Sequence, residues 1–113
     1  MKKIEAIIKP FKLSLVKEAL HEIGISGMTV SDVKGFGRQR GSSGGIDNVH
    51  EYDDEFLVKM KLEVIVKDED SDKVTDAIKK AAYSGKIGDG KIFIYSIDKV
   101  IRIRTGEKDS DAV

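Results

Sequence analysis

Hydrophobic and polar positions divide the chain into two similar halves, and the first half contains three predicted elements. Apolar and polar residues alternate over residues 2–9 and Pro10 ends the pattern, which predicts a strand with one buried face. From Lys12 to Gly24 the apolar residues follow a helical spacing, so we predict an amphipathic helix that Gly24 terminates. Met28 to Val33 is rich in β-branched residues and predicts a second strand.

The second half repeats this order after a long polar segment. Phe56 to Lys67 shows the clearest alternation of the chain and predicts the third strand. A helical stripe over residues 69–83 predicts the second helix, with Gly85 as the glycine just beyond its end. Lys91 to Ile97 predicts the fourth strand, and Val100 to Arg104 a further short extended piece before a polar tail.

The order strand-helix-strand, loop, strand-helix-strand predicts an α+β fold of the ferredoxin-like βαββαβ type. This sandwich has one antiparallel four-stranded sheet with both helices on one face. If the other face of the sheet is apolar, another protein surface must bury it, which predicts a homo-oligomer packed through its sheets. A monomer with scattered exposed apolar residues is the alternative. Candidates for that helix-free face are Ile7, Ile65 and one of two pairs, Phe93 with Tyr95 or Ile92 with Ile94.

Composition limits the classes of function. The 113 residues suit one domain, and 20 basic residues balance 20 acidic ones, so unspecific binding to nucleic acid or a membrane surface is not expected. A local basic site for a small anion remains compatible with this balance. The absence of cysteine excludes disulfides, thiolate zinc sites and cysteine nucleophiles. With no membrane-span or signal-peptide pattern, we expect a soluble cytoplasmic protein that does not insert into membranes.

The glycine-rich segment Gly85 to Lys91 is the first candidate for chemistry. It has the spacing of the start of a P-loop, but Ile92 stands where a P-loop has Ser or Thr. Its predicted context, helix-loop-strand, is also the reverse of the P-loop order. Glycine N–H groups beside lysines can nevertheless hold a phosphate, and a tight turn with surface lysines is the alternative.

The second candidate is the Arg102-Ile103-Arg104 sequence. In an extended segment, residues two apart point the same way, so both guanidinium groups are expected on one side, where they can clamp an anion. Solubilising arginines on an edge strand are the alternative.

Other motifs carry weaker hypotheses. Lys34 to Gly41 resembles half of an RNA-recognition motif, but it leaves the second strand, and aromatic residues make up only 6% of the chain. His50 lies among acidic residues, which fits a solvated loop better than a metal site. No nucleophile, paired carboxylates or general base can be placed in a cleft, so neither an enzyme nor a slow ATPase is expected.

Five segments share their order and spacing with a known family. They are residues 1–13 (MKKIEAIIKPFKL), 27–30 (GMTV), 33–39 (VKGFGRQ), 85–93 (GKIGDGKIF) and 102–106 (RIRTG). Together they resemble the PII signal-transduction family of nitrogen regulators over nearly the whole chain. The resemblance implies a single domain, residues 1–113, with an effector loop at 37–55 and a C-terminal tail at 105–113. It also implies a homotrimer with nucleotide sites in the clefts between subunits.

The resemblance implies particular ligands and ligand-binding residues. ATP and ADP would compete for one site, and 2-oxoglutarate would bind as an effector when Mg²⁺ and ATP are present. Lys59 would pair with a 2-oxoglutarate carboxylate, and Gln39 would contact both Mg²⁺ and 2-oxoglutarate. The nucleotide-binding residues would be Thr29, Gly35, Gly37, Arg38, Gln39, Ile65, Gly88, Asp89, Gly90, Lys91, Arg102, Ile103 and Arg104. The implied function is regulation of a nitrogen-metabolism target, whether enzyme, transporter or regulator, through the effector loop.

The effector loop departs from the family pattern. The family commonly ends it with Tyr-Arg-Gly-Ala-Glu-Tyr, of which only Glu51 and Tyr52 remain here. The missing arginine is the residue that would plug an ammonium channel. Tyr52 aligns with a tyrosine that some members uridylylate, although its surroundings differ. The sequence therefore leaves open a PII-like nucleotide-binding regulator that senses another small molecule or controls a non-standard target.

Overall fold

The computed structural model describes residues 1–35 and 57–113. Four strands, β1 to β4, pair antiparallel in the order β2-β3-β1-β4, and two helices connect them. This is the predicted ferredoxin-like α+β fold. In chain order the elements are β1 (Lys2–Ile8), a 3₁₀ turn (Pro10–Lys12), α1 (Leu13–Glu22), β2 (Thr29–Gly35), β3 (Leu57–Val66), a 3₁₀ turn (Asp68–Asp70), α2 (Ser71–Ala82), β4 (Lys91–Ser96) and a 3₁₀ turn (Asp109–Asp111).

The core lies between the helices and one face of the sheet. Every second residue of β1 is buried there, as its alternating pattern predicts. Both helices contribute an apolar stripe, and α1 also packs on α2. The largest fully buried side chains are Ile4, Ile8, Val16, Leu20, Leu62, Val64, Val66, Val74 and Ile78.

The β1–β4 register decides which residues of β4 lie on the helix-free face. Residues directly opposite each other in an antiparallel pair point to the same side of the sheet. Phe93 lies opposite Glu5, and Tyr95 lies opposite Lys3. Because Ile4, between these two β1 residues, is buried under the helices, the two aromatic rings lie on the helix-free face. The first of the two predicted pairs is therefore right, and the second is wrong for this face.

Charged side chains on the helix-free face are paired with one another. The Lys3 ammonium lies 2.7 Å from Glu63, 3.6 Å from Glu5 and 5.1 Å from the centre of the Tyr95 ring. Its hydrogen bond with Glu63 raises the pKa of Lys3 and lowers the pKa of Glu63. Tyr95 itself is 45% exposed in the single chain. Around Lys3, this face therefore combines exposed aromatic surface with charges that are already compensated.

Only the first part of the predicted extended piece at 100–104 is paired as in a strand. Ile101 bridges antiparallel to Lys108, which makes a C-terminal hairpin. The Arg102 N–H donates to the Glu107 carbonyl at 2.8 Å, and the Gly106 N–H donates to the Arg102 carbonyl at 2.8 Å. Residues 103–105 form the turn between these partners, and Gly106 has a φ of 74°. The alternation argument that placed Arg102 and Arg104 on one side is therefore wrong, because a turn rather than a strand connects them.

One of the two predicted helix terminators is also wrong. Gly24, with a φ of 91°, directly follows the last helical turn of α1 and ends it as predicted. Gly85 lies further from its helix, because α2 ends at Ala82 and Tyr83 is already extended. Gly85, with a positive φ of 81°, belongs instead to the loop between α2 and β4.

Candidate functional site

The side chain of Asp89 shapes the loop between α2 and β4. Its carboxylate accepts hydrogen bonds from the N–H groups of Ser84 at 2.8 Å and Gly85 at 2.9 Å, and a short one from the Ser84 hydroxyl. The Lys9 ammonium lies 3.1 Å away and completes the ring of donors. These bonds, led by the Ser84 hydroxyl, hold the pKa of Asp89 far below its ordinary range. The carboxylate is thus charged and engaged within the loop, so any phosphate contact at this position would come from backbone.

Gly90 brings the loop backbone against the end of β1. Its φ is 101°, and a Cβ atom built on it would lie 1.6 Å from the Ile7 carbonyl oxygen. Gly88 also has a positive φ, of 97°. Within residues 1–35 and 57–113, no hydrogen bond uses the N–H group of Gly88 or Gly90. Backbone N–H groups in such a turn suit an anion.

Lys59 places an ammonium group beside the same loop. Its Nζ donates to the Gly88 carbonyl at 2.6 Å, and the residue is only 8% exposed. Gly35 lies beside its stem, and a Cβ atom there would make an ordinary van der Waals contact with the Lys59 Cγ at 3.6 Å. Burial lowers the pKa of Lys59, the charge of Lys9 lowers it further, and Asp89 raises it. A buried ammonium that has three donors and gives one to Gly88 can offer the others to a carboxylate or phosphate.

Replacing Lys59 with methionine is expected to change the free energy of unfolding at neutral pH by less than about 1 kcal/mol. The apolar side chain escapes the desolvation cost that lowers the pKa of Lys59, and this offsets the lost hydrogen bond to Gly88. The lowered pKa also means that the unfolded chain binds this proton more tightly than the folded one. Stability of the native chain should therefore rise with pH between the folded-state pKa of Lys59 and its ordinary value.

Urea unfolding from neutral to alkaline pH measures both effects. The Lys59→Met chain should lack the part of the alkaline rise that Lys59 contributes. An identical pH dependence in the two chains would contradict the assignment of a desolvated ammonium at this site.

The sheet register separates the sequence-predicted site residues into two groups. Lys91 pairs with Ile7 near the end of β1, whereas the other end of β4 pairs with Lys2, and the Ile97 N–H donates to the Met1 carbonyl. The segment that follows β4 therefore leaves from the opposite end of the sheet. Val113 confirms this course, because it lines a pocket with Ile65 and other residues at that end.

We name the two groups by their position. The loop-end group contains Gly35, Lys59, Gly88, Asp89, Gly90 and Lys91. The tail-end group contains Thr29, Ile65, Arg102, Ile103 and Arg104. On β2, Gly35 lies six positions after Thr29, which is about 20 Å of strand. One chain therefore places the two groups at opposite ends of its sheet and does not bring them to one place.

Some predicted site residues lie outside the described part of the chain. These are Gly37, Arg38, Gln39 and Tyr52, together with the effector loop at 37–55. Conversely, sequence reasoning missed Lys9 and Ser84, which contact Asp89. The signal for Lys9 was its position just before Pro10, at the end of β1 beside this loop.

Membrane and metal features can be assessed for residues 1–35 and 57–113. No helix there has the length and apolar character needed to cross a membrane. No group of three potential metal-ligating side chains of His, Cys, Asp or Glu occurs there either.

Comparison with known proteins identifies the family. The family model for Nitrogen regulatory protein P-II matches residues 1–107. The chain belongs to the P-II family. It is 56% identical to the Nitrogen regulatory protein P-II of Pasteurella multocida and to the Nitrogen regulatory protein P-II 1 of Escherichia coli K12, over 113 residues and the full length of each chain.

A solved structure supports the same conclusion for the P-II fold. The crystal structure of Arabidopsis thaliana PII bound to citrate is 41% identical to this chain, with a TM-score of 0.82. The match covers 99% of this chain and 91% of that one. The family and fold predicted from the sequence are thus confirmed, and a role in nitrogen regulation follows from membership of the P-II family.

Proposed function

We propose that this P-II family member is a cytoplasmic homotrimeric signalling protein that binds ATP and ADP in clefts between its subunits. It senses 2-oxoglutarate when Mg²⁺ and ATP are bound, and it regulates a nitrogen-metabolism enzyme, transporter or regulator through the effector loop. The single observation that carries the proposal is the division of the site residues into a loop-end group and a tail-end group.

The loop-end group suits the phosphates of a nucleotide. Gly88 and Gly90 provide backbone N–H groups in a turn, and Lys59 and Lys91 provide positive charge close to them. The negative charge of Asp89 is compensated by Lys9, so it does not oppose an incoming anion.

The tail-end group of one subunit is suited to complete the nucleotide site of a neighbouring subunit. Ile103 is 99% exposed at the tip of its turn, and Arg102 is oriented by Glu107 at 3.0 Å. In a closed ring of identical chains, the tail-end group of one subunit can face the loop-end group of the next. Such a ring also buries the helix-free face, which carries the exposed rings of Phe93 and Tyr95.

Magnesium fits this site as a partner of ATP. Mg²⁺ is usually held by substrate phosphates, water and one or two protein ligands rather than by a complete protein cage. The carboxylate of Asp89 is engaged by Lys9, Ser84 and Gly85. We therefore propose that the ion arrives with ATP and contacts Gln39, whose amide oxygen is a suitable hard ligand. Lys59 would then bind a carboxylate of 2-oxoglutarate.

Isothermal titration calorimetry with ATP and ADP, each with and without Mg²⁺ and 2-oxoglutarate, tests the proposal. We expect ATP and ADP to compete, and 2-oxoglutarate to bind only when Mg²⁺ and ATP are both present. Absence of ATP binding at millimolar nucleotide would contradict it. The target can be sought by affinity capture from native lysate, run separately with ADP and with MgATP plus 2-oxoglutarate.

A second candidate is a P-II relative that binds nucleotides but senses another small carboxylate. Two observations favour testing it: the divergent sequence from Asp47 to Tyr52, and the citrate in the solved plant relative. Titration of wild type and Lys59→Ala with 2-oxoglutarate and with citrate distinguishes the candidates. A Lys59-dependent affinity for 2-oxoglutarate supports the first, whereas an affinity unchanged by Lys59→Ala, or none, supports the second.

A further inference from the structure

Lys9 lies beside the loop-end group although it is not among the predicted ligands. Its Nζ is 3.0 Å from the Ser84 hydroxyl and 3.1 Å from the Asp89 carboxylate, and its side chain is only 12% exposed. Its backbone is held on rigid elements, since Lys9 follows β1 directly and its carbonyl accepts the Lys12 N–H at 3.0 Å. Lys9 is therefore a fixed cation, engaged with protein groups.

Hydrogen bonds between Ser84 and Asp89 close the loop into a hydrogen-bonded ring, and Lys9 completes this ring by contacting both residues. Ser84 stands at the start of the loop and Asp89 near its end, and the two are joined through both the N–H and the hydroxyl of Ser84. The Ser84 hydroxyl oxygen also lies 3.3 Å from the Lys86 N–H and accepts its hydrogen. A hydroxyl has one donor and two acceptor sites. All of them are used here, so the side chain has one defined orientation.

The ring determines where the anion-binding groups of the loop lie. Gly88 precedes Asp89, and its carbonyl holds the Lys59 ammonium at 2.6 Å. Gly90 follows Asp89 and packs against Ile7. Displacement of Asp89 would thus move both glycines and release Lys59 from its partner.

Lys9 also neutralises a charge that would otherwise oppose the ligand. Asp89 stays ionised because its donors stabilise the carboxylate, and it lies between the two glycines whose N–H groups suit an anion. Without Lys9, that negative charge would face an incoming phosphate with less compensation. Like charges at such short range repel strongly where water is partly excluded.

We propose that Lys9, acting through Ser84 and Asp89, is a positioning residue that holds loop 84–90 so that the N–H groups of Gly88 and Gly90 converge on one anionic ligand. This rests on the proposed nucleotide site and adds two residues to it, Lys9 and Ser84. It predicts that Lys9 affects phosphate binding without contacting the phosphate.

Calorimetry with ATP on the full-length chain tests the role of Lys9. Lys9→Met, which keeps the apolar stem, should weaken ATP binding about tenfold, or about 1.4 kcal/mol. The matched control is Lys17→Met, an exposed lysine on α1, which should leave the affinity within about twofold of wild type. Lys9→Arg, which keeps the charge, should restore most of the affinity.

A double replacement shows whether Lys9 acts through Asp89. Once Lys9 has become methionine, adding Asp89→Asn removes the uncompensated charge, so the pair should lose no more affinity than Lys9→Met alone. If the losses of affinity from the two replacements add, the inference is overturned. Equal ATP affinities for Lys9→Met and Lys17→Met would also overturn it. Either result leaves the proposed function standing if wild type binds ATP, whereas absence of ATP binding by wild type contradicts the proposed function instead.

Amide hydrogen exchange tests the ring without any ligand. In Lys9→Met, the N–H groups of Ser84 and Gly85, which donate to Asp89, should exchange faster, while core amides of β1 keep their protection. Unchanged protection of these two amides would overturn the inference, whatever the chain binds.

Discussion

Replacing Gly90 with alanine is expected to abolish measurable ATP binding and to lower the free energy of unfolding by roughly 3 kcal/mol. A residue with a side chain at the Gly90 φ of 101° is strained, and a Cβ atom there would lie 1.6 Å from the Ile7 carbonyl oxygen. The obstructing atom is backbone, so no side-chain rotation can relieve the contact. The start of β4, where Lys91 pairs with Ile7, must therefore move.

Gly24→Ala is the matched control for this prediction. Gly24 also has a positive φ, of 91°, but a Cβ atom there would meet nothing within 4 Å. Only the backbone cost remains, about 1 kcal/mol, and ATP binding should persist. Urea unfolding and calorimetry of both variants provide the comparison. Equal stability losses, or intact ATP binding in Gly90→Ala, would contradict the packing described for the loop.

Replacing both Arg102 and Arg104 with alanine is expected to weaken ATP binding by more than about a hundredfold, since each charge-assisted hydrogen bond contributes roughly 1.5 to 3 kcal/mol. The stability of the single chain should change little, because both arginines are exposed and the contact of Arg102 with Glu107 is a surface ion pair. Calorimetry with ATP and thermal unfolding measure the two quantities separately.

Lys108→Ala serves as the control for the arginine pair. Lys108 lies in the same C-terminal hairpin, where it bridges to Ile101, and it is exposed. Its loss should affect ATP binding by less than about threefold, because a rim charge acts mainly through long-range attraction. A double arginine variant that binds ATP as well as Lys108→Ala would remove the tail-end group from the proposed site.

The sequence predicted the fold correctly because each element has a distinct hydrophobic period. The alternation in β1 and the helical stripe of α1 reflect which side chains face the core, and burial follows that pattern. The extended piece predicted over residues 100–104 ends early, because residues 103–105 form the turn of a hairpin. Local hydrogen bonds between Arg102 and Glu107, and the positive φ of Gly106, favour the turn.

The site could be predicted as a set of residues but not as an arrangement. Motif resemblance named both glycines of the loop and both tail arginines, yet only the strand register shows that they lie at opposite ends of the sheet. Lys9 and Ser84 were missed because 75 positions separate them along the chain. Each also has an ordinary local role, as a strand-end lysine or a helix-end serine, so only tertiary pairing reveals their contact.

We propose that each nucleotide site combines the loop-end group of one subunit with the tail-end group of another. Mixed oligomers are the sharpest test of this arrangement. Chains carrying Lys91→Ala are unfolded and refolded together with chains carrying Arg102→Ala and Arg104→Ala, and ATP binding is measured by calorimetry. Neither variant alone should bind ATP appreciably.

In a closed ring of three, each mixed oligomer has one interface where an intact loop-end group faces an intact tail-end group. We therefore predict that co-refolding restores ATP binding with near wild-type affinity at one site per mixed trimer. If the mixture binds no more ATP than the two variants do separately, the site does not combine two subunits, and the proposed arrangement is contradicted.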